Sequence, residues 1–463
     1  MIKTYGIKYL FNISTGLFRA KGVTVMKVVV RLALLLLAVA LLGGCEVTEE
    51  KIELWKGTQN GPKKLAGTLI DPDVSTELRA KAAVALIEIK ELDLFHESFE
   101  KMEKSDSQKL IESAAPILGE MVKGEGGGLQ EKTLQTTQVD AKDGLYLMLD
   151  YAEGPARQAV IKPLVDWCAG GNYNIRAMAG SYNAQAIAKK VGGPAAMGLA
   201  NTLVMGQMAI EPIAKLIRDI GDEKALLAAS EKLAGELEGN VKRIQEVHLV
   251  AAAVIGGDPI ADVLLELATN KEITPELRRF ALRAFSMSID TESIKPKKRH
   301  LDALFAMAEN TEYDQFQREE TYMTIAQAGG EDEAERISKL LSEENFFWRL
   351  VGLRCLMRMA GDTWLGKALK TRKLVREDSE VEEIILWTSK FPKLADTLRK
   401  LTENRNSFVQ GVAIYALAVV GEKKDVELLK KLEGKKTRLR KGFDHKTVGE
   451  AAASAVEQLE KKG

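Results

Sequence analysis

A nine-residue pattern of apolar, polar and small residues recurs along the chain. Its first copy, Leu78 to Leu86, has an apolar residue followed by a basic one, small residues at the fifth and eighth places, and an apolar residue at the ninth. Further copies begin at Leu277, Trp348 and Val409, and weaker ones are present elsewhere. Because the fifth, eighth and ninth places share one face of a helix with about 3.6 residues per turn, the pattern predicts helices that approach their neighbours closely.

The copies recur at the spacing of a helical repeat. Those that begin at 244, 277, 317, 348, 381, 409 and 448 are 28 to 40 residues apart. Self-similarity of this period is typical of stacked helix pairs, in which each unit buries its apolar face against the next. Glycine follows several copies, and we expect it to end the helix in a left-handed conformation; these residues are Gly192, Gly256, Gly329, Gly361 and Gly421.

The pattern resembles that of HEAT and HEAT-like repeats, as does the Asp71-Pro72-Asp73 turn that precedes Leu78-Arg79. The resemblance extends over most of 58–460 and implies an all-α fold, an α-solenoid of antiparallel helix pairs. Within it we expect N-terminal helical repeats over 58–123, a Gly-rich and polar loop over 124–143, and a HEAT-like repeat array over 144–460. Because packing residues define this repeat, the resemblance implies a fold without specifying an activity.

The segment that precedes the repeats has the anatomy of an export signal. Basic Lys27 and Arg31 are followed by an uncharged run of 13 residues over 32–44. The run leads into Leu42-Gly43-Gly44-Cys45, which resembles a bacterial lipobox and implies cleavage before Cys45 and lipidation of that cysteine. A membrane span needs about 20 apolar residues, so an uncleaved anchor is the weaker alternative.

The predicted signal defines three segments at the start of the chain. We expect residues 26–44 to be a lipoprotein signal peptide and residues 45–57 a lipidated tether, with Met26 the true initiator and residues 1–25 a mis-assigned start or, alternatively, an extended basic n-region. Two or more acyl chains anchor a protein stably, so lipid on Cys45 predicts a cell-envelope protein. Glu46 follows the cysteine, which by resemblance to enterobacterial sorting favours the outer membrane, facing the periplasm or the surface.

The charge of the chain limits the classes of partner that it can bind, and the position of its cysteines limits disulfide formation. The full chain has 66 basic and 66 acidic residues, but the first 44 residues hold six of the basic ones and none of the acidic ones, so the chain from Cys45 carries a net charge of −6. A mildly acidic chain has no general attraction for nucleic acid, which we exclude as a partner. Cys168 and Cys355 both sit among apolar neighbours, which predicts buried thiols and no disulfide between them.

No residue pattern typical of catalysis occurs in the sequence. The four histidines, His96, His248, His300 and His445, are scattered and show no metal-ligand spacing. There is no Gly-x-Ser-x-Gly turn, and the glycines at 124–128 lack the Gly-Lys-Ser/Thr ending of a phosphate-binding loop. We therefore expect a protein that is not an enzyme and has no catalytic, cofactor or metal site.

Two clusters of basic residues lie between predicted repeat helices, at 295–300 and 435–441. Exposed loops without a ligand are the simpler interpretation. The functional interpretation is an anionic partner such as lipid head groups, envelope polysaccharide or an acidic protein surface. The candidate partner-binding residues are Lys297, Lys298, Arg299, Lys436, Arg438 and Arg440.

These features together favour a membrane-anchored, non-catalytic scaffold for protein–protein interaction, because stacked repeats present an extended surface. The identity of the partner and the oligomeric state stay open. The alternative is a HEAT-like accessory enzyme, or a carrier that holds a small ligand or a polysaccharide in the groove of the solenoid.

Overall fold

The computed structural model describes residues 47–123, 135–169, 176–206 and 209–462, and most of these residues are helical. The described ranges contain no strand, and a single isolated antiparallel bridge joins Arg438 to Thr447. Among the described helices, none is at once long enough and apolar enough to cross a bilayer. The predicted all-α fold class is confirmed.

The described residues divide into two compact units, of which the first holds 47–123, 135–167 and 176–187. Helices α2 and α3 pack on each other, as do α5 and α6, and α3 also contacts α5 and α6. The helices are α1 (Glu49–Lys56), α2 (Gly61–Ile70), α3 (Thr76–Glu88), α4 (Leu92–Glu100), α5 (Lys104–Lys123), α6 (Thr136–Met148), α7 (Gly154–Ala169) and α8 (Ala184–Val191), the last extending past the unit's final residue.

The second unit holds the described residues 168–169, 188–206 and 209–462. Its helices are α9 (Gly193–Thr202), α10 (Ile210–Ile220), α11 (Glu223–Gly239), α12 (Glu246–Ile255), α13 (Asp258–Thr269), α14 (Pro275–Asp290), α15 (Lys298–Glu309), α16 (Gln315–Ala328), α17 (Glu331–Ser338), α18 (Phe346–Leu369), α19 (Glu380–Thr388), α20 (Ala395–Leu401), α21 (Ser407–Val420), α22 (Val426–Lys430) and α23 (Val448–Lys462).

Successive helices of the second unit stack as the solenoid prediction requires. The pairs are α13 with α14, α15 with α16, and α17 with α18. The second helix of each pair also contacts the second helix of the next, so that α14, α16 and α18 form one layer. On the other side, α13 contacts both α11 and α15, and these three helices form the other layer.

The small residues of the nine-residue pattern lie where helices meet, as predicted. The side chains of Ala82, Ala281 and Ala413 are fully buried. A methyl group on Gly352 would come within 2.8 Å of the Cβ atom of Leu340, so this position accepts only the smallest residue without a shift of its neighbour. The spacing of small residues therefore identified the packing faces of these helices correctly.

The loop predicted over 124–143 is wrong in its second half. Residues 136–143 form the first part of α6, while 124–134 lie outside the described residues. The helix begins with a side-chain cap, in which the backbone N–H of Gln135 donates to the Gln138 side-chain carbonyl at 2.9 Å. This cap satisfies a donor that the helix itself leaves unpaired, and it allows a polar sequence to begin a helix.

Most of the predicted glycines follow the end of a helix, but they do not adopt the predicted left-handed helical conformation. Gly256 ends α12 with a φ of +66°, which favours glycine, but its ψ of −155° is not that of a left-handed helical residue. Gly329 and Gly421 do end helices, but their φ values of −83° and −71° are ordinary for any residue. Gly361 lies inside the uninterrupted helix α18, so the prediction of a helix end there is wrong.

Ion pairs join helices of successive repeats across the surface of the second unit. Arg279 Nη2 lies 2.6 Å from Asp314 Oδ2, and Arg283 Nε lies 2.5 Å from Glu320 Oε1, which links α14 to α16. The partners are 35 and 37 residues apart in the sequence, close to the spacing of the repeat copies. The repeat period therefore appears in the charged surface as well as in the core.

Candidate functional site

The first basic cluster belongs to the start of a helix. Lys297 precedes the first residue of α15, and Lys298, Arg299 and His300 form its first turn. The prediction of an exposed loop is therefore wrong for 298–300. His300 is buried, with only 1% of its surface exposed, whereas Lys297, Lys298 and Arg299 are exposed.

Two of the four lysine and arginine residues of this cluster, Lys297 and Arg299, pair with acidic residues of α13. The Arg299 guanidinium contacts both carboxylate oxygens of Asp262, at 3.1 and 2.9 Å, and His300 Nε2 lies 3.0 Å from the same carboxylate. The Arg299 hydrogen bond lowers the pKa of Asp262 below its ordinary value. Lys297 pairs with Asp258. The cluster therefore ties α15 to α13, and about half of its charge serves this contact.

The second basic cluster lies in a loop, as predicted, and this loop docks on another segment. The loop covers 433–447, between α22 and α23. Arg440 Nη1 donates to the backbone carbonyl of Val375 at 2.9 Å, and Nη2 donates to that of Arg376 at 3.3 Å. Arg440 Nε also lies 3.8 Å from Asp378 Oδ1. Arg440 thus holds 433–447 against 371–379.

Aromatic packing fixes the loop over 433–447 on helix α21. The Phe443 ring is buried, and its centroid lies 5.4 Å from that of Tyr415 and 5.9 Å from that of Phe408. The Tyr415 hydroxyl lies 2.6 Å from His445 Nδ1 and accepts a hydrogen bond from the backbone N–H of His445 at 3.1 Å. Backbone bonds also cross the loop, because Leu439 N–H donates to the Lys446 carbonyl at 2.9 Å. The loop is thus held in one conformation.

A glycine allows the loop to approach the neighbouring segment. Gly442 has a φ of +97°, in the left-handed region that favours glycine. A methyl group there would lie 2.2 Å from the backbone oxygen of Asp378. Only glycine therefore satisfies both the backbone conformation and the distance between the two segments.

The segment over 371–379 is held in turn by a buried arginine. Arg349, on α18, is 1% exposed; its Nε donates to the carbonyl of Leu374 at 3.0 Å, and its Nη1 donates to two carbonyls of the turn before α18, at 2.9 and 2.6 Å. Its Nη2 pairs with Glu380. The second oxygen of Glu380 accepts from the backbone N–H groups of Arg376 and Glu377, at 2.6 and 3.3 Å.

These bonds keep the Glu380 carboxylate charged. Its burial works against the charged form, but the backbone N–H of Arg376 and the Arg349 guanidinium outweigh the effect of burial and lower the pKa of Glu380. One buried ion pair therefore organises the whole segment.

The two segments together form a surface rich in cations. Residues 371–379 and 433–447 carry nine basic and four acidic residues, although the chain from Cys45 is acidic as a whole. We call the exposed or half-buried cations of these segments the cationic surface. It comprises Arg372, Lys373, Arg376, Lys435, Lys436, Arg438, Arg440, Lys441 and Lys446.

Sequence reasoning found one half of this surface and missed the other. Lys436, Arg438 and Arg440 were predicted from their local cluster, while Arg372, Lys373 and Arg376 were not. The signal for the second group was present, since three cations fall within five residues of 372–376. The predicted lipidation site, Cys45, lies outside the described residues.

Groups that resemble a catalytic site in the first unit are engaged in structural bonds. The buried Lys142 Nζ donates to the carbonyls of Ala179 and Tyr182, at 2.7 and 2.6 Å, and pairs with Asp143. Asp143 Oδ2 accepts from the backbone N–H of Ser181 at 2.8 Å. These bonds clamp 179–182 onto α6. Within the ranges that the structure describes, no three His, Cys, Asp or Glu side chains gather as metal ligands.

The cysteines are buried, as predicted. Cys168 and Cys355 are both without exposed surface and form no disulfide. Burial raises the pKa of the Cys355 thiol to about 12, so this thiol stays protonated at neutral pH.

Comparison with known proteins finds similarity among solved structures but none among family models or curated sequences. No protein-family model matches the chain, and no curated protein sequence does. Among solved structures, human deoxyhypusine hydroxylase in complex with glycerol is 12% identical, covering 76% of this chain and 98% of its own, with a TM-score of 0.17. Kap121p is 11% identical with a TM-score of 0.22; the match covers 86% of this chain and 41% of Kap121p. Structural similarity at these TM-scores gives no information about function.

Proposed function

We propose that this chain is a non-catalytic helical-repeat scaffold, held at a membrane of the cell envelope by lipid on Cys45, that binds an acidic protein through the cationic surface. The observation that carries the proposal is the excess of nine basic over four acidic residues on two segments fixed against each other. A surface whose loops are already ordered loses little conformational entropy when a partner binds.

The charge of the rest of the chain supports a protein partner. A long polyanion would be repelled by a chain whose net charge from Cys45 is −6, whereas a protein that covers only the cationic surface would meet mainly cations. Four cations of this surface, Arg372, Lys373, Lys436 and Arg438, form no ion pair with a described residue, so their charge is available to a partner.

Charge reversal tests this binding surface. We expect the double variant Lys436→Glu, Arg438→Glu to lose the proteins that crosslink to the intact chain in envelope preparations. The double variant Lys224→Glu, Lys242→Glu reverses two exposed lysines elsewhere and is the control, which should retain them. Quantitative mass spectrometry of the crosslinked material at low and high salt measures the loss, and the wild-type capture should weaken as salt screens the charges.

The same variants distinguish the other anionic partners. Vesicles with anionic lipids and purified envelope polysaccharide serve as probes in a co-sedimentation assay. Binding of either probe that is lost in the Lys436→Glu, Arg438→Glu variant, with unchanged protein capture, would refute the protein partner. Equal protein capture by both double variants at low salt would refute a role of the cationic surface.

Membrane attachment is tested separately. We expect Cys45→Ala to accumulate at precursor size and to incorporate no radiolabelled fatty acid, because the thiol that accepts the lipid is absent. Density-gradient fractionation of the wild-type protein then decides between the inner and the outer membrane. Normal processing and membrane retention of Cys45→Ala would contradict lipid anchoring.

A further inference from the structure

A pocket of about 440 Å³ lies in the second unit, between α16, α18 and the segment that follows α19. Its apolar lining includes Met323, Met357 and Phe391, and the indole of Trp387 forms part of its wall. None of its lining residues belongs to the cationic surface. The volume falls in the range of pockets that hold small organic ligands.

Four cations line this pocket, and no carboxylate does. Two of them, Arg354 and Lys390, are close to Trp387: the guanidinium carbon of Arg354 lies 4.0 Å from the ring centroid and Lys390 Nζ lies 3.8 Å from it. The other two are Arg358 and Lys393. The pocket thus combines an aromatic and apolar lining with a concentrated positive charge.

The positive charge is only partly neutralised by neighbouring groups. Arg354 pairs with Glu319 through Nη1, but its buried Nε has no hydrogen-bond partner. Arg358 lies 3.8 Å from Asp290, at the outer limit of an ion pair. For Lys390 and Lys393, no ion pair with any described residue is formed.

We propose that this pocket binds a small organic anion, in which a carboxylate is attached to an aromatic or branched apolar body. The carboxylate would accept hydrogen bonds from the cations of the pocket, and the apolar body would cover Met323, Met357 and Phe391. A purely apolar ligand would desolvate the cations without compensation. An inorganic anion would leave the apolar lining exposed to water. The site is independent of the cationic surface and of the protein partner proposed for it.

Calorimetric titration of the full chain with three probes tests the proposal. We expect 2-naphthoate to bind at least about tenfold more tightly than its neutral analogue 2-naphthamide, because charge-assisted hydrogen bonds contribute more than neutral ones. Acetate, which has the charge without the apolar body, should bind more weakly than 2-naphthoate by a similar factor. The affinity for 2-naphthoate should fall as salt rises.

Variants assign the binding to this pocket. Arg358→Gln and Lys390→Gln remove exposed charges and should each weaken 2-naphthoate at least about fivefold, while leaving the thermal midpoint of the protein unchanged. Lys431→Gln removes an exposed charge from another part of the unit and should leave the affinity unchanged. Equal affinities for 2-naphthoate and 2-naphthamide, no binding of 2-naphthoate, or wild-type affinity in the Arg358→Gln, Lys390→Gln double variant would overturn the proposal.

Discussion

The buried pair of Arg349 and Glu380 offers the sharpest test of how the second unit holds its functional loops. In the Arg349→Met variant, three backbone carbonyls lose their donor and the Glu380 carboxylate, about 10% exposed, loses its counter-ion. Removing one partner of a buried ion pair costs about 3–5 kcal/mol, because the other charge stays buried without compensation. We expect a loss of that size in the free energy of unfolding of the second unit at pH 7.

The pH dependence of this loss has a definite sign. The pKa of Glu380 is lowered in the folded protein, so the ion pair contributes fully at pH values above the unfolded pKa of about 4.3 and loses its contribution as pH falls through the folded value. In Arg349→Met the uncompensated carboxylate takes up a proton more readily. The difference between wild type and variant should therefore be largest near neutral pH and should shrink below about pH 4.3.

Urea unfolding at pH 7 and pH 4, followed by tryptophan fluorescence, measures these effects. Hydrogen exchange of peptides over 371–380 is the second measurement, and it should show faster exchange in the variant because Arg349 holds this segment. The double variant Arg349→Met, Glu380→Gln removes the stranded charge and keeps an oxygen that accepts from the backbone N–H groups of Arg376 and Glu377, so it should regain about 1–3 kcal/mol of the loss. A loss below about 1 kcal/mol in Arg349→Met, or a loss that is equal at pH 7 and pH 4, would refute this account.

Further predictions concern packing, backbone strain and a buried charge. Ala281→Leu should overpack the contact between helices and lower the free energy of unfolding by about 1–3 kcal/mol; an unmoved urea midpoint would contradict the assigned packing face. Gly442→Ala should cost about 1–3 kcal/mol and speed hydrogen exchange over 433–447, because a side chain there is strained at positive φ; wild-type exchange would count against the close approach. Lys142→Met should cost about 3–5 kcal/mol in the first unit, with a smaller loss in Lys142→Met, Asp143→Leu; equal losses in the two variants would mean that the stranded Asp143 charge is not the cause.

The packing of the repeats could be predicted from the sequence because it depends on residues close together in the chain. Small residues at Ala82, Ala281 and Ala413 recur at fixed places of one pattern, and helical geometry then determines which face they occupy. The same local reasoning failed at 136–143. A polar stretch normally indicates solvent, but Lys142 and Asp143 are buried and neutralise each other.

The cationic surface was only half predictable for a different reason. Its two segments are joined by Arg440, whose acceptors are backbone carbonyls 64 and 65 residues away. A carbonyl is present at every residue, so no side-chain pattern identifies which one an arginine will reach. The pocket beside Trp387 was equally hidden, since its cations come from two separate stretches of the chain and meet only after α18 and α19 pack.

The ion pairs between successive repeats imply that surface charges help to determine which helices become neighbours. The apolar pattern determines only that each helix packs. Several repeats share the same arrangement of apolar and small residues, so the core alone discriminates weakly against the pairing of a helix with the wrong neighbour during folding. Arg283 on α14 pairs with Glu320 on α16, and Arg279 on α14 pairs with Asp314, the residue that caps the start of α16. Surface ion pairs, although each stabilises the fold only slightly, thus favour the correct neighbouring helix over others with a similar apolar face.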